Sequence, residues 1–109
     1  MVEVPLIDTP NQELAIELEG QDCTIQVRQL TNYIYLTLWV DSTLICENAI
    51  CMPLVPIVQN SQSLFSGNFL IVDSSAKADK QSLPDYTELG TRYLLVYGTD
   101  EELAQYVNN

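Results

Sequence analysis

Any chemistry in this 109-residue chain would have to come from three cysteines, fifteen carboxylates and four bases, because it contains no histidine. Without imidazole, the usual general base near neutral pH is missing, and neither a Ser-His nor a Cys-His nucleophile pair can form. Cys46 and Cys51 stand five residues apart with no CxxC spacing. On an unbroken strand an odd separation points them to opposite faces. Cys23 falls on the apolar side of its own segment, where a thiol packs as a small hydrophobe. No run of acids has the spacing of a calcium loop. Asp100, Glu101 and Glu102 follow Thr99, and Glu102 is placed to close a capping box at a helix start, where negative charge also suits the dipole. The sequence therefore predicts no catalytic residue, no metal site and no cofactor.

Arg92 is one of two arginines and lies close in sequence to Asp85 and Glu88. Its fork of donors can hold two carboxylates, so the expectation is a structural clamp on the Pro84–Gly90 loop through Asp85 and Glu88.

Composition narrows the partners. Fifteen acids against four bases give a formal charge of −11, a field that repels phosphate backbones; Arg28, Lys77, Lys80 and Arg92 are too few for a basic stripe. Direct nucleic-acid binding is disfavoured, whereas a basic protein partner suits the sign. A hydrophobic fraction of 47% is that of a globular domain, and the length fits a single domain over residues 1–109. The N-terminus lacks the pattern of a signal peptide, and no apolar run reaches membrane-span length, so synthesis in a reducing cytosol without membrane insertion is expected. Three cysteines cannot all pair within one chain, which speaks against a disulfide scaffold.

The elements that position these groups are mostly strands. Val2 to Ile7 reads as a short first strand. From Glu13 to Glu19, Leu14, Ile16 and Leu18 alternate with the acids, the period of a strand with one wet face. Gly20-Gln21 is predicted to turn the chain, and Cys23, Ile25 and Val27 resume the alternation. A second hairpin follows: Ile34, Leu36, Leu38 and Val40 oppose Tyr33, Tyr35, Thr37 and Trp39, and Asp41-Ser42 makes the turn. Met52-Pro53-Leu54 to Val58 carries two prolines, so it is an edge strand or extended arm. Gln59 to Ser63 reads as a polar loop, and Ala76 to Gly90 as the longest irregular stretch. Phe69–Val72 and Thr91–Tyr97 read as buried strands, and a helix of about two turns begins after Thr99, with Leu103, Tyr106 and Val107 as its apolar stripe. The fold expected is mostly β: a small antiparallel β-sandwich or barrel of about seven strands with one short C-terminal α-helix.

The aromatic face of the second hairpin admits three readings: a second layer of sandwich core, a protein interface, or a sugar-stacking platform built on Tyr35 and Trp39.

The order of signals is specific. Pro10-Asn11-Gln12 precedes two hairpins; then come Pro53-Leu54 and Phe65-x-Gly67-x-Phe69-x-Ile71-x-Asp73. The last block is Pro84-Asp85-Tyr86-x-x-Leu89-Gly90-x-Arg92-Tyr93-x-Leu95-x-Tyr97. This pattern resembles the phage baseplate plug family, small β-rich proteins of contractile-tailed phages of the cyanophage-like kind. The resemblance spans nearly the whole chain and is sharpest at its C-terminal block. It implies a virion structural protein of the tail baseplate with no catalytic residues. Its expected neighbours are tube, hub or spike, and sheath-initiator proteins, and it is expected to form a symmetric multi-copy ring near the tail tube and hub, plugging or joining the tube end. Contacts are expected through Tyr35, Trp39, Met52, Pro53, Leu54, Leu103, Tyr106 and Val107. Acids such as Glu13, Glu17 and Glu19 are candidates to line a channel and repel DNA. The competing readings are a small acidic inhibitor that mimics DNA, or a glycan-binding β-sandwich module.

Overall fold

A computed structural model describes residues 1–58, 65–74 and 84–107, with Tyr106 and Val107 described by their backbone alone. The expected Gln59–Ser63 loop, the Ala76–Leu83 part of the long irregular stretch, and the side chains of Tyr106 and Val107 lie outside the described residues.

Seven strands form two antiparallel sheets: β1 (Val2–Val4), β2 (Asn11–Leu18), β3 (Gln21–Leu30), β4 (Tyr33–Val40), β5 (Thr43–Ile50), β6 (Asn68–Asp73) and β7 (Tyr93–Gly98). One sheet has the order β1-β7-β6 and the other β2-β3-β4-β5. A short helix, α1 (Asp100–Val107), follows. The two sheets face each other as a sandwich rather than closing into a barrel.

The period-two pattern explains the core. Leu18, Cys23, Ile25, Val27, Ile34, Leu36 and Leu38 from the four-stranded sheet meet Val4, Phe69, Ile71, Tyr93, Leu95 and Tyr97 from the other. The first hairpin turns at Glu19-Gly20, one residue earlier than the sequence suggests; both have positive φ (53° and 77°), as a type I′ turn requires. That turn sets Ile16 against Cys23 and Leu14 against Ile25, keeping Leu14, Ile16, Leu18, Cys23, Ile25 and Val27 on the core side. A one-residue slip would bring Glu13 and Glu17 inward. The predicted Asp41-Ser42 turn is present, again with two positive φ values.

The three-stranded sheet is buried on both faces. Its second face carries Leu70, Val72 and Val96, and Leu103 of α1 covers them. Full burial of such a side chain contributes about 2 kcal/mol, enough to hold a two-turn helix that would not persist alone. Thr99 and Glu102 form the predicted capping box: Thr99 N–H donates to Glu102 Oε1 (3.0 Å), and Glu102 N–H donates to Thr99 Oγ1 (3.2 Å).

The proline-bearing arm after β5 runs alongside β6. Pro53 bridges Ile71 in parallel, Leu54 N–H donates to the Ile71 carbonyl (3.0 Å), and Ile57 N–H donates to the Phe69 carbonyl (3.0 Å). Ile57 and Val58 are buried beneath it. Thr91 and Arg92, expected at the start of β7, belong instead to the preceding turn: Arg92 N–H donates to the Glu88 carbonyl (3.0 Å).

Candidate interaction surface

The outer face of the four-stranded sheet carries the aromatic row. The sequence left three readings for these rings, and the fold removes the core reading for Tyr33, Tyr35 and Trp39. Tyr93 and Tyr97 point into the sandwich and are buried, where Tyr97 packs with Phe65 and Phe69 at centroid separations of 5.6 and 5.5 Å. Tyr33, Tyr35 and Trp39 point the other way, because the alternate residues Ile34, Leu36 and Leu38 take the core. Tyr33 is 39% exposed, while Tyr35 and Trp39 are half-buried. Register places Ile50 beside Tyr35 and Leu44 beside Trp39, and these two apolar side chains are exposed as well. The face is therefore a row of partly covered rings flanked by exposed aliphatic side chains. Leu44 and Ile50 were missing from the sequence reading. Pairing β5 back across the Asp41-Ser42 turn would have found Leu44.

Two bulges in β5 interrupt this face, one on each side of the Leu38–Cys46 pair. Asn48 takes a positive φ of 50° and its N–H donates to Thr37 Oγ1 (3.0 Å), which accounts for the burial of that threonine. Asn48 Oδ1 also accepts from Arg28 Nη2 at 2.7 Å.

The loop clamp differs from the one expected. Arg92 does not hold Asp85. It grips Asp73 at the end of β6, with Nε to Oδ1 at 3.0 Å and Nη2 to Oδ2 at 2.9 Å, and its guanidinium stacks 5.0 Å from the centre of the Tyr93 ring. Glu88 is the outer partner, 3.6 Å from Nη1. Asp85 is turned away to cap the 3-10 turn Tyr86–Glu88. Its carboxylate accepts from Thr87 N–H (3.2 Å), from the Thr87 hydroxyl and from Gln29 Nε2 (3.1 Å). Those hydrogen bonds, the Thr87 hydroxyl foremost, hold its pKa below the ordinary aspartate range.

The remaining predicted contacts divide. Leu103 is 3% exposed against Leu70 and Val96, so it docks α1 on its own sheet and is withdrawn as a partner contact. Met52 and Pro53 are half-buried in the arm, while Leu54 is exposed at a positive φ of 62°. Among the described residues no three metal-ligating side chains come together. Cys51 is buried, and desolvation raises its pKa; Cys23 and Cys46 are raised by the same cause. A shallow groove of about 260 Å³ beside Ala15, Glu17, Asp22 and Thr24 is wide open to solvent, and the two acids that line it stand opposite each other on β2 and β3.

The side-chain networks of Arg92 and Asp85 are spent on the loop before β7, and the outer sheet face leaves Tyr33, Leu44 and Ile50 exposed. The sequence profile of a family described as "Cyanophage baseplate Pam3 plug gp18" matches residues 1–101. The chain belongs to this baseplate plug family. No curated protein matches it. As a baseplate plug family member it is a structural component of a phage tail, located in the virion. The matched region takes in both sheets and the capping Thr99, and it ends within the first turn of α1. No helix among the described residues is long and apolar enough to cross a membrane.

Proposed function

We propose that this chain is a joining piece of the baseplate, repeated about the tail axis near the tube and central hub, where it closes or extends the tube end. It carries out no reaction and makes no direct contact with nucleic acid. Its neighbours are tube, hub or spike, and sheath-initiator proteins. The observation that carries this reading is the outer sheet face, where Tyr33, Tyr35, Trp39, Leu44 and Ile50 stay partly open on an otherwise packed sandwich. Rings of this kind dominate the energetics of protein contacts.

Copies carrying −11 each repel one another, so assembly into a ring requires basic neighbours and is weakened by salt. The test is a reconstruction of the purified tail, together with particles carrying Trp39→Ala. The expected result is density for this fold at the tube end with Trp39 against another chain, and loss of the plug from variant baseplates. Density elsewhere in the virion, or a ring formed by the pure protein alone at low salt, overturns the reading.

A further inference from the structure

The sandwich has four strand edges, and three are blunted. β1 is three residues long; β6 is covered by the Pro53–Ile57 arm; and β5 is broken by two bulges. Short strands, covering segments and bulges are the usual protections of an edge. The fourth edge is β2, which runs unbroken for eight residues and has no strand on its outer side among the described residues.

Which backbone groups it leaves open follows from the register. Gln29 N–H donates to the Pro10 carbonyl at 2.9 Å, and Asp41 N–H donates to the Asp22 carbonyl at 3.0 Å. In β3, odd-numbered residues such as Gln29 and Cys23 therefore bond toward β2, and Asp22 bonds toward β4. Leu14 and Ile16, opposite Ile25 and Cys23, spend their backbone groups on β3. Asn11, Glu13, Ala15 and Glu17 turn theirs outward, and all four are exposed.

We infer that β2 is an acceptor edge that takes one extended, basic segment of a baseplate neighbour as a fifth strand of this sheet. The inference rests on the baseplate reading above and adds the chemistry of one partner. Open N–H and C=O groups at every second residue call for a strand. The half-buried Leu14 and Ile16 offer its inner face an apolar neighbour, while Glu13 and Glu17 call for Lys or Arg on its outer face. Neither described arginine forms an ion pair with these acids: Arg28 hydrogen-bonds the neutral Asn48 side chain and Arg92 pairs with Asp73. A second copy suits the edge less well: it brings a further charge of −11, and two β2 strands paired about Ala15 would set Glu13 against Glu17 of the other copy twice.

The test uses the amidated peptide Lys-Val-Lys-Val-Lys-Val-Lys, with the same peptide N-methylated at every backbone amide as an equally charged control that cannot donate to a ladder. The expected result is binding of the first peptide, with amide exchange slowed at Glu13, Ala15 and Glu17. Affinity drops at least tenfold for the N-methylated peptide and for the Ala15→Pro chain. That substitution removes only an outward N–H, so the thermal midpoint stays near wild type. Glu13→Gln with Glu17→Gln weakens binding and flattens its salt dependence. Equal binding of both peptides, protection confined to other strands, or no binding overturns the inference. If Ala15→Pro chains enter tails and support infection normally, the edge proposal falls while the baseplate reading stands. Absence of wild-type chain from the baseplate overturns that reading instead.

Discussion

Arg92 and Asp73, nineteen residues apart, are joined by two parallel hydrogen bonds of 3.0 and 2.9 Å where β6 ends and β7 begins. The pair sits at the open end of this strand pair, one residue beyond the Asp73–Tyr93 register position. Ser74 N–H strengthens the same corner by donating to the Arg92 carbonyl at 2.7 Å. The exposed face of the guanidinium leaves Glu88 a weaker, solvent-screened share.

A double-mutant cycle separates this pair from the clamp expected on Asp85. Arg92→Ala and Asp73→Ala should each lower the thermal midpoint, and together they should cost less than their sum. Arg92→Ala and Asp85→Ala should add, because they share no partner. Arg92→Lys should recover little, since an ammonium cannot supply the parallel fork. Coupling to Asp85 instead of Asp73 would show the geometry to be wrong.

Three glycines should differ when changed to alanine. Each has a positive φ: 77° at Gly20, 91° at Gly67 and 84° at Gly90. At Gly20 an added methyl meets nothing, so the cost is the backbone term of about 1–2 kcal/mol. At Gly67 it would stand 2.6–2.7 Å from the Tyr97 ring and hydroxyl, and at Gly90 it would collide with the Leu6 carbonyl oxygen. A carbonyl in the backbone cannot swing away. Gly90→Ala should therefore cost on the order of 3 kcal/mol or more, and Gly67→Ala an intermediate amount. Denaturant midpoints test the order.

The thiols should react in sequence. Cys51 and Cys23 are each 1% exposed, Cys46 is half-buried, and all three pKa values are raised by desolvation. At pH 8 an aromatic disulfide reagent should modify Cys46 slowly and leave the other two intact until the chain unfolds. Three fast equivalents under native conditions would contradict the packing.

Much of this architecture is legible in the residues because its signals are local. The alternation from Leu14 to Val27 and from Tyr33 to Val40 gives both hairpins, and the Thr99–Glu102 spacing gives the cap. What escaped depends on register between distant segments. Asp73 reaches Arg92 only after β6 and β7 pair, so the nearer Asp85 and Glu88 looked the better partners. The β5 bulges shift which side chains share the face of Trp39, and no repeat in Thr43–Ile50 announces them. Leu103 reads equally as a docking or a contact residue until the second face of the three-stranded sheet exists to receive it.

Asp85 gives this histidine-free chain a stability contribution that titrates only in acid. Its folded pKa is depressed by hydrogen bonds from Thr87 and Gln29. A depressed acid contributes stability that is present above its unfolded pKa, about 4, and is lost as pH falls through the lower folded value. Replacing it with alanine removes the cap of the 3-10 turn and leaves Gln29 Nε2 without that acceptor, a loss of about 1 kcal/mol at pH 7. Asp85→Asn keeps an acceptor but not the charge. The gap between wild type and Asp85→Asn should be constant from about pH 8 to pH 5 and should close below about pH 4, where the wild-type carboxylate is protonated too. Comparing the two chains cancels the general relief of −11 self-repulsion on acidification, which acts on both. Urea midpoints measured from pH 8 to 2 read the gap directly; a gap that widens in acid would mean that Asp85 is not held by these bonds.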